Sequence, residues 1–144
     1  TNLTIITNGL KIANLVADNL FLESAVRLIL TGGVVRAGEL SMIGIIPEYS
    51  YQEFHVDKAF IGIGGISVQD GLTEYNADDA QIKQMLIRSA REKIVVADGT
   101  KFGVTTFASV APLEAIDKIV TDAEAPQAVL DEMRRRGVEI IVAD

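Results

Sequence analysis

Short apolar runs alternate along this chain with longer stretches of helical period. Leu3-Thr4-Ile5-Ile6-Thr7 reads as a strand, and Asn8-Gly9 breaks it. Leu10, Ala13, Val16 and Leu20 then recur near helical spacing, which predicts a helix from Leu10 to Asn19. Val26–Leu30 is a second strand, ending in Thr31-Gly32-Gly33. From Val34 to Phe54 the pattern is mixed; a helix is expected over Gly38–Ile46, with Pro47 interrupting it. Lys58–Ile63 is a third strand that runs into Gly64-Gly65, and Gln69-Asp70-Gly71 forms a turn.

Asn76 has the character of a helix N-cap, with Asp79 at the reciprocal capping-box position and Asp78 and Asp79 complementing the helix dipole. The helix is expected to reach about Arg91, with Ile82, Met85, Leu86 and Ala90 on one face. Ile94–Ala97 and Lys118–Thr121 are the fourth and fifth strands. A last helix has Pro126 near its start, Gly137 just past its end and Arg134, Arg135 and Arg136 in its final turn. Val138–Ala143 closes the series as a sixth strand. Strands separated by helices predict right-handed crossovers and an α/β fold, a mostly parallel sheet with helices on both faces. With no linker and no short repeat, the expectation is one domain over residues 1–144.

Composition narrows the function classes. The chain has 144 residues, enough for one substantial core, and its 49% hydrophobic and 23% charged content is that of a globular protein. Mean hydropathy is +0.29, in keeping with buried parallel strands, and no uninterrupted apolar run approaches the ~18 residues a membrane span requires. A net charge of −7 argues against this chain binding nucleic acid by itself, because phosphate neutralisation needs clustered Lys and Arg. Cysteine is absent, which removes disulfides, thiolate metal sites and cysteine nucleophiles and fits a reducing, cytoplasmic setting. The chain opens on Thr1 rather than Met, as expected of a piece or a processed product.

The candidate chemistry sits at strand ends. Asp98-Gly99-Thr100-Lys101-Phe102-Gly103 follows the buried-strand run Ile94–Ala97, and open α/β sheets place ligands outside the carboxyl ends of their strands. Asp98 suits sugar hydroxyls and Lys101 suits a phosphate or carboxylate; equally, the two are candidates for a salt bridge closing the turn. Gly62-Ile63-Gly64-Gly65-Ile66-Ser67 departs from a dinucleotide loop, since Ser67 replaces the third glycine and a turn follows instead of a helix. Either a tight turn or close ligand approach to backbone amides explains its glycines. Asn8 is a candidate cap, Arg36 a candidate anion clamp, and Lys83 pairs with Asp79 at i,i+4 unless one of them faces a ligand. His55 has no partner at metal-ligand spacing, and neither a Gly-x-Ser-x-Gly nor a Walker motif occurs. No cofactor or metal is expected.

Taken in order, these segments resemble one family. Thr7-Asn8-Gly9-Leu10, Thr31-Gly32-Gly33, Asp57-Lys58-Ala59-Phe60-Ile61-Gly62-Ile63-Gly64-Gly65-Ile66, Gly71-Leu72-Thr73, the Asp79-Ala80 to Lys83 helix, Val96–Gly103 and Ile119–Asp122 are similar to the C-terminal sensor domain of DeoR-family transcriptional repressors. The resemblance implies an effector-binding domain for a phosphorylated sugar or related metabolite, with a fold like ribose-5-phosphate isomerase and the CoA-transferase-like group. It implies a pocket lined by Thr7, Asn8, Gly33, Arg36, Gly64, Gly65, Gly71, Thr73, Lys83, Asp98 and Lys101. It also implies DNA binding only through an N-terminal winged helix-turn-helix outside this chain, and a homo-oligomer. The family's first sensor strand and its Gly-Thr-Thr phosphate loop are expected upstream of Thr1, so the chain alone is expected to bind weakly. The alternative is an aldose-ketose phosphate isomerase, with Asp78, Asp79 or Asp98 as the proton-transferring carboxylate.

Overall fold

The computed structural model describes residues 2–20 and 25–144. Backbone contacts divide the chain into two compact units, Thr1–Glu53 and Phe54–Asp144.

In the first unit, β1 (Leu3–Thr7) and β2 (Val26–Leu30) pair in parallel, from Leu3 opposite Val26 to Thr7 opposite Leu30. The connection runs through α1 (Leu10–Asn19), which buries Ala13 and Val16 one turn apart, as the periodicity predicts. The helix expected over Gly38–Ile46 is absent. In its place β3 (Val34–Val35) and β4 (Met42–Ile43) form a short antiparallel ribbon. Gly38 at φ +89 and Leu40 at φ +57 take left-handed backbone conformations, which a right-handed helix excludes. The helix begins later, as α2 (Ile45–Gln52), and Pro47 lies in its first turn, where a missing amide proton leaves no hydrogen bond unmade.

The second unit holds a four-stranded parallel sheet of β5 (Val56–Gly62), β8 (Ala90–Val96), β10 (Lys118–Thr121) and β11 (Glu139–Val142). Flanked by helices, it runs in the order β11-β10-β8-β5. A second sheet of β6 (Gly65–Ser67), β7 (Gly71–Glu74) and β9 (Ala108–Ala111) is antiparallel, so the parallel expectation holds for one sheet and not the other. The Gln69-Asp70-Gly71 turn joins β6 to β7.

Asn76 caps α3 (Ala77–Ser89): its Oδ1 accepts the Asp79 N–H at 2.9 Å, and its Nδ2 donates to the Asp79 carboxylate at 2.8 Å. The helix stops at Ser89, before Arg91, because Ala90 turns to extended backbone and pairs at once with Val56. Strand β8 thus starts four residues ahead of the apolar run, on residues whose side chains include Arg91, Glu92 and Lys93. The closing helix α4 (Gln127–Arg135) follows Pro126 and has Gly137, at φ +91, just past its end, as expected. One continuous core fills this unit. Ile61, Val95 and Ile119 come from the parallel sheet, Ile66 and Leu72 from the antiparallel sheet, and Leu130 and Met133 from α4. All seven are nearly or fully excluded from water.

Candidate functional site

The strand-end residues are held by local chemistry that the structure makes explicit. In the first unit, Thr7 ends β1 and its Oγ1 accepts the Gly9 N–H at 3.1 Å. Asn8 is not a cap. Its Nδ2 donates to the Met42 carbonyl at 2.9 Å, and its Oδ1 accepts the Tyr51 hydroxyl proton at 3.1 Å. Tyr51 is buried at 3% exposure, and burial pushes its phenol up to about 12. Asn8 is therefore oriented from both ends of its amide. Gly33 backs onto the Pro47 ring, and the Arg36 backbone opens the turn between β3 and β4, its N–H bonded to the Ser41 carbonyl at 2.8 Å.

In the second unit, four of the sequence candidates converge on the β6–β7 ladder. Gly65 lies opposite Thr73. Thr73 is 1% exposed, and its hydroxyl oxygen accepts the Thr106 N–H at 2.9 Å while its proton points to the Gly65 carbonyl at 3.5 Å. A Cβ on Gly65 would strike the Val104 carbonyl oxygen, so glycine there lets segment 104–106 lie directly on the ladder. Gly64 packs against Glu74 and Tyr75. Lys83 reaches from α3 to Glu74, not to Asp79, and the two form an ion pair. The expected i,i+4 pair does not form: the Lys83 ammonium goes to Glu74, while the Asp79 carboxylate receives the Asn76 amide. Gly71 stands apart from this group at the turn end of the hairpin, in the wall of a cavity of about 400 Å³ that Gln84, Ser109 and Arg136 also line.

Asp98 and Lys101 occupy the loop after β8. Asp98 is exposed; its Oδ1 accepts the Thr100 N–H at 2.9 Å and the Thr100 hydroxyl, capping a single 3-10 turn over Gly99–Lys101. These two hydrogen bonds, with a smaller contribution from the Lys101 charge, hold the Asp98 carboxyl below its usual 3.8. Among the described residues no ion pair joins Asp98 to Lys101, so the salt bridge weighed from sequence gives way to a turn that Asp98 caps through Thr100. A parallel bridge between Ile66 and Phe102, with Gly103 N–H on the Ile66 carbonyl at 2.8 Å, ties this loop to β6. From below, Asp122 accepts the Gly99 N–H at 3.1 Å.

Sequence reasoning missed Glu74 as a site residue. It is 4% exposed, its Oε2 accepts the Tyr75 N–H at 3.2 Å, and its other oxygen takes Lys83. The available signal was a carboxylate inside the otherwise uncharged Gly71–Glu74 strand, a position that demands a partner. His55 is exposed, and among the described residues no group of three His, Asp or Glu is arranged to hold a metal ion. No helix among them is long and apolar enough to cross a membrane.

The second unit is thus a parallel sheet with polar loops at its carboxyl ends, the place where open α/β sheets hold their ligands. The family model described as the DeoR C-terminal sensor domain matches residues 1–123, and the chain belongs to that family. It is similar to the HTH-type transcriptional repressor GlcR of Bacillus subtilis, 33% identical over 98% of this chain and 53% of that protein. It is also similar to the HTH-type transcriptional regulator GolR of Listeria innocua, 29% identical over 100% of this chain and 55% of that protein. The glycerol-3-phosphate regulon repressor of Escherichia coli matches at 28% identity over 97% of this chain and 54% of that protein. The chain thus spans about half the length of the curated relatives it matches.

Proposed function

We propose that this chain is the effector-sensing part of a cytoplasmic transcriptional repressor, and that its effector is a phosphorylated sugar or a related metabolite. The observation that carries the reading is the Asp98–Lys101 loop at the carboxyl end of β8, in a chain of the DeoR sensor family. There an exposed carboxylate suited to hydroxyls lies three residues from a cation suited to phosphate. The backbone amides of the glycine-rich strand ends add donors for anionic oxygens. The relatives are named as repressors and regulators, which favours sensing over turnover. Effector binding acts on DNA through a DNA-binding domain elsewhere in the protein, in a homo-oligomer. It does so only to the extent that the effector binds two arrangements with different affinity.

The test is thermal denaturation of the chain against a panel of sugar phosphates and the matching free sugars. A phosphorylated sugar raises the melting temperature, and Lys101→Ala and Asp98→Ala reduce that rise. No rise with any member of a broad panel at millimolar concentration contradicts the proposal.

A further inference from the structure

The second unit offers the effector two lysines, and their electrostatic surroundings differ. The Lys83 ammonium is already occupied by the Glu74 carboxylate. That carboxylate is fixed in place: its side chain is 5% exposed and its second oxygen accepts the Tyr75 N–H. It also abuts Gly64, whose added Cβ would lie 3.0 Å from Oε2. The Lys83 side chain keeps 23% exposure, so a donor of the amine remains within reach of solvent and of a ligand. Lys101 is different. Among the described residues it forms no ion pair, and the nearby Asp98 carboxylate is turned onto Thr100. A phosphate approaching Lys83 meets attraction from the ammonium and repulsion from a buried carboxylate anchored by the Tyr75 N–H, and the two largely cancel. A neutral hydroxyl or carbonyl oxygen meets no such repulsion.

We infer that Glu74 is a specificity-determining residue: its fixed negative charge bars the effector's phosphate from Lys83 and leaves that amine to donate to a neutral sugar oxygen. The phosphate then falls to Lys101. This inference rests on the proposed sugar-phosphate reading for the identity of the effector, and its electrostatic core is testable apart from it.

The probe is inorganic phosphate, titrated into the chain and followed by amide chemical shifts. Glu74→Gln keeps the shape of the side chain and an acceptor for Tyr75 while removing the charge. It binds phosphate about tenfold more tightly than the unchanged chain, the gain disappears in Glu74→Gln/Lys83→Met, and Glu74→Asp shows no gain. A folded Glu74→Gln variant that binds phosphate no better than the unchanged chain overturns the inference. If Glu74→Gln does not fold, the unchanged chain with carbon-13-dimethylated lysines, assigned by Lys→Arg variants, decides the matter. There the Lys101 methyl signal moves with phosphate while that of Lys83 stays still, and any other pattern overturns the inference. The sensor reading fails separately: were no sugar phosphate to bind the unchanged chain while Glu74→Gln gained phosphate at Lys83, the sensor reading would fall and the role of Glu74 would stand.

Discussion

Glu74 and Lys83 concentrate the chemistry of this chain into one contact. A buried carboxylate is tolerated only with a partner, so removing the partner costs more than the pair is worth. Lys83→Met, which leaves Glu74 alone at 4% exposure, is expected to destabilise the chain by about 3 kcal/mol and to lower its melting temperature by about 6–12 °C. Glu74→Gln/Lys83→Met, with no charge left to strand, falls by much less; equal losses for the single and double variants would rule out the uncompensated charge as the cause. Asp98 makes the opposite kind of contact, exposed and local. Its folded value lies below 3.8, so the stability it contributes is present above pH 3.8 and is lost as pH falls through that lowered value. An NMR titration of its side-chain carboxyl is expected to show a midpoint below 3.8, and Thr100→Ala to move that midpoint up. A midpoint at or above 3.8 in the unchanged chain would mean the Thr100 hydrogen bonds do not persist in solution.

At the scale of elements, the apolar pattern was a good guide wherever side chains alone decide the structure. Strands β1, β2 and β10 and helix α1 follow the pattern residue by residue, and the Asn76 cap and the Pro126–Gly137 bracket around α4 form as their side chains dictate. It was a poor guide where partners lie far apart in the chain. Strand β8 begins on Ala90 and runs through Arg91, Glu92 and Lys93, because β5 pairs with that segment, and backbone pairing leaves no mark on side-chain hydropathy. The antiparallel β6–β7–β9 sheet was hidden for a related reason. Strands as short as three and four residues, punctuated by glycine, look like loops until β9 arrives from 37 residues beyond Gly71. The Glu74–Lys83 contact, nine residues apart across a strand and a helix, likewise fell outside any helical spacing rule. The ladder supplies its own test. Asn76→Ala should cost about 1 kcal/mol, the usual worth of a cap. Gly65→Ala, which drives a methyl into the Val104 carbonyl, should cost more and should also expose the Thr106 amide to hydrogen exchange. A Gly65→Ala chain as stable as Asn76→Ala would show that segment 104–106 moves aside freely.

At the scale of the whole chain, burial is uneven. The continuous core lies entirely within Phe54–Asp144, while among the described residues of the first unit the buried apolar side chains are Ala13, Val16, Met42, Pro47 and Tyr51. Local opening is easiest where few apolar contacts must be broken. Amides of β5, β8 and β10 are therefore expected to exchange more slowly than those of β1 and β2, and uniform protection across both sets would contradict that ranking. The candidate site was legible as a set of strand ends and as a family resemblance, and the family match over residues 1–123 bears the resemblance out. The way Asn8 and Lys83 are fixed by Tyr51 and Glu74 was visible only in three dimensions. The proposed sensing of a phosphorylated sugar rests on the loop after β8. Amide chemical shifts of the chain, titrated with sugar phosphates and their unphosphorylated counterparts, test it most directly, because weak binding registers as readily as strong. A phosphorylated sugar is expected to shift the amides of Gly99–Lys101, its free sugar to do so far less, and Lys101→Ala to narrow the difference. Shifts that spare this loop, or that are the same with and without the phosphate, would contradict it.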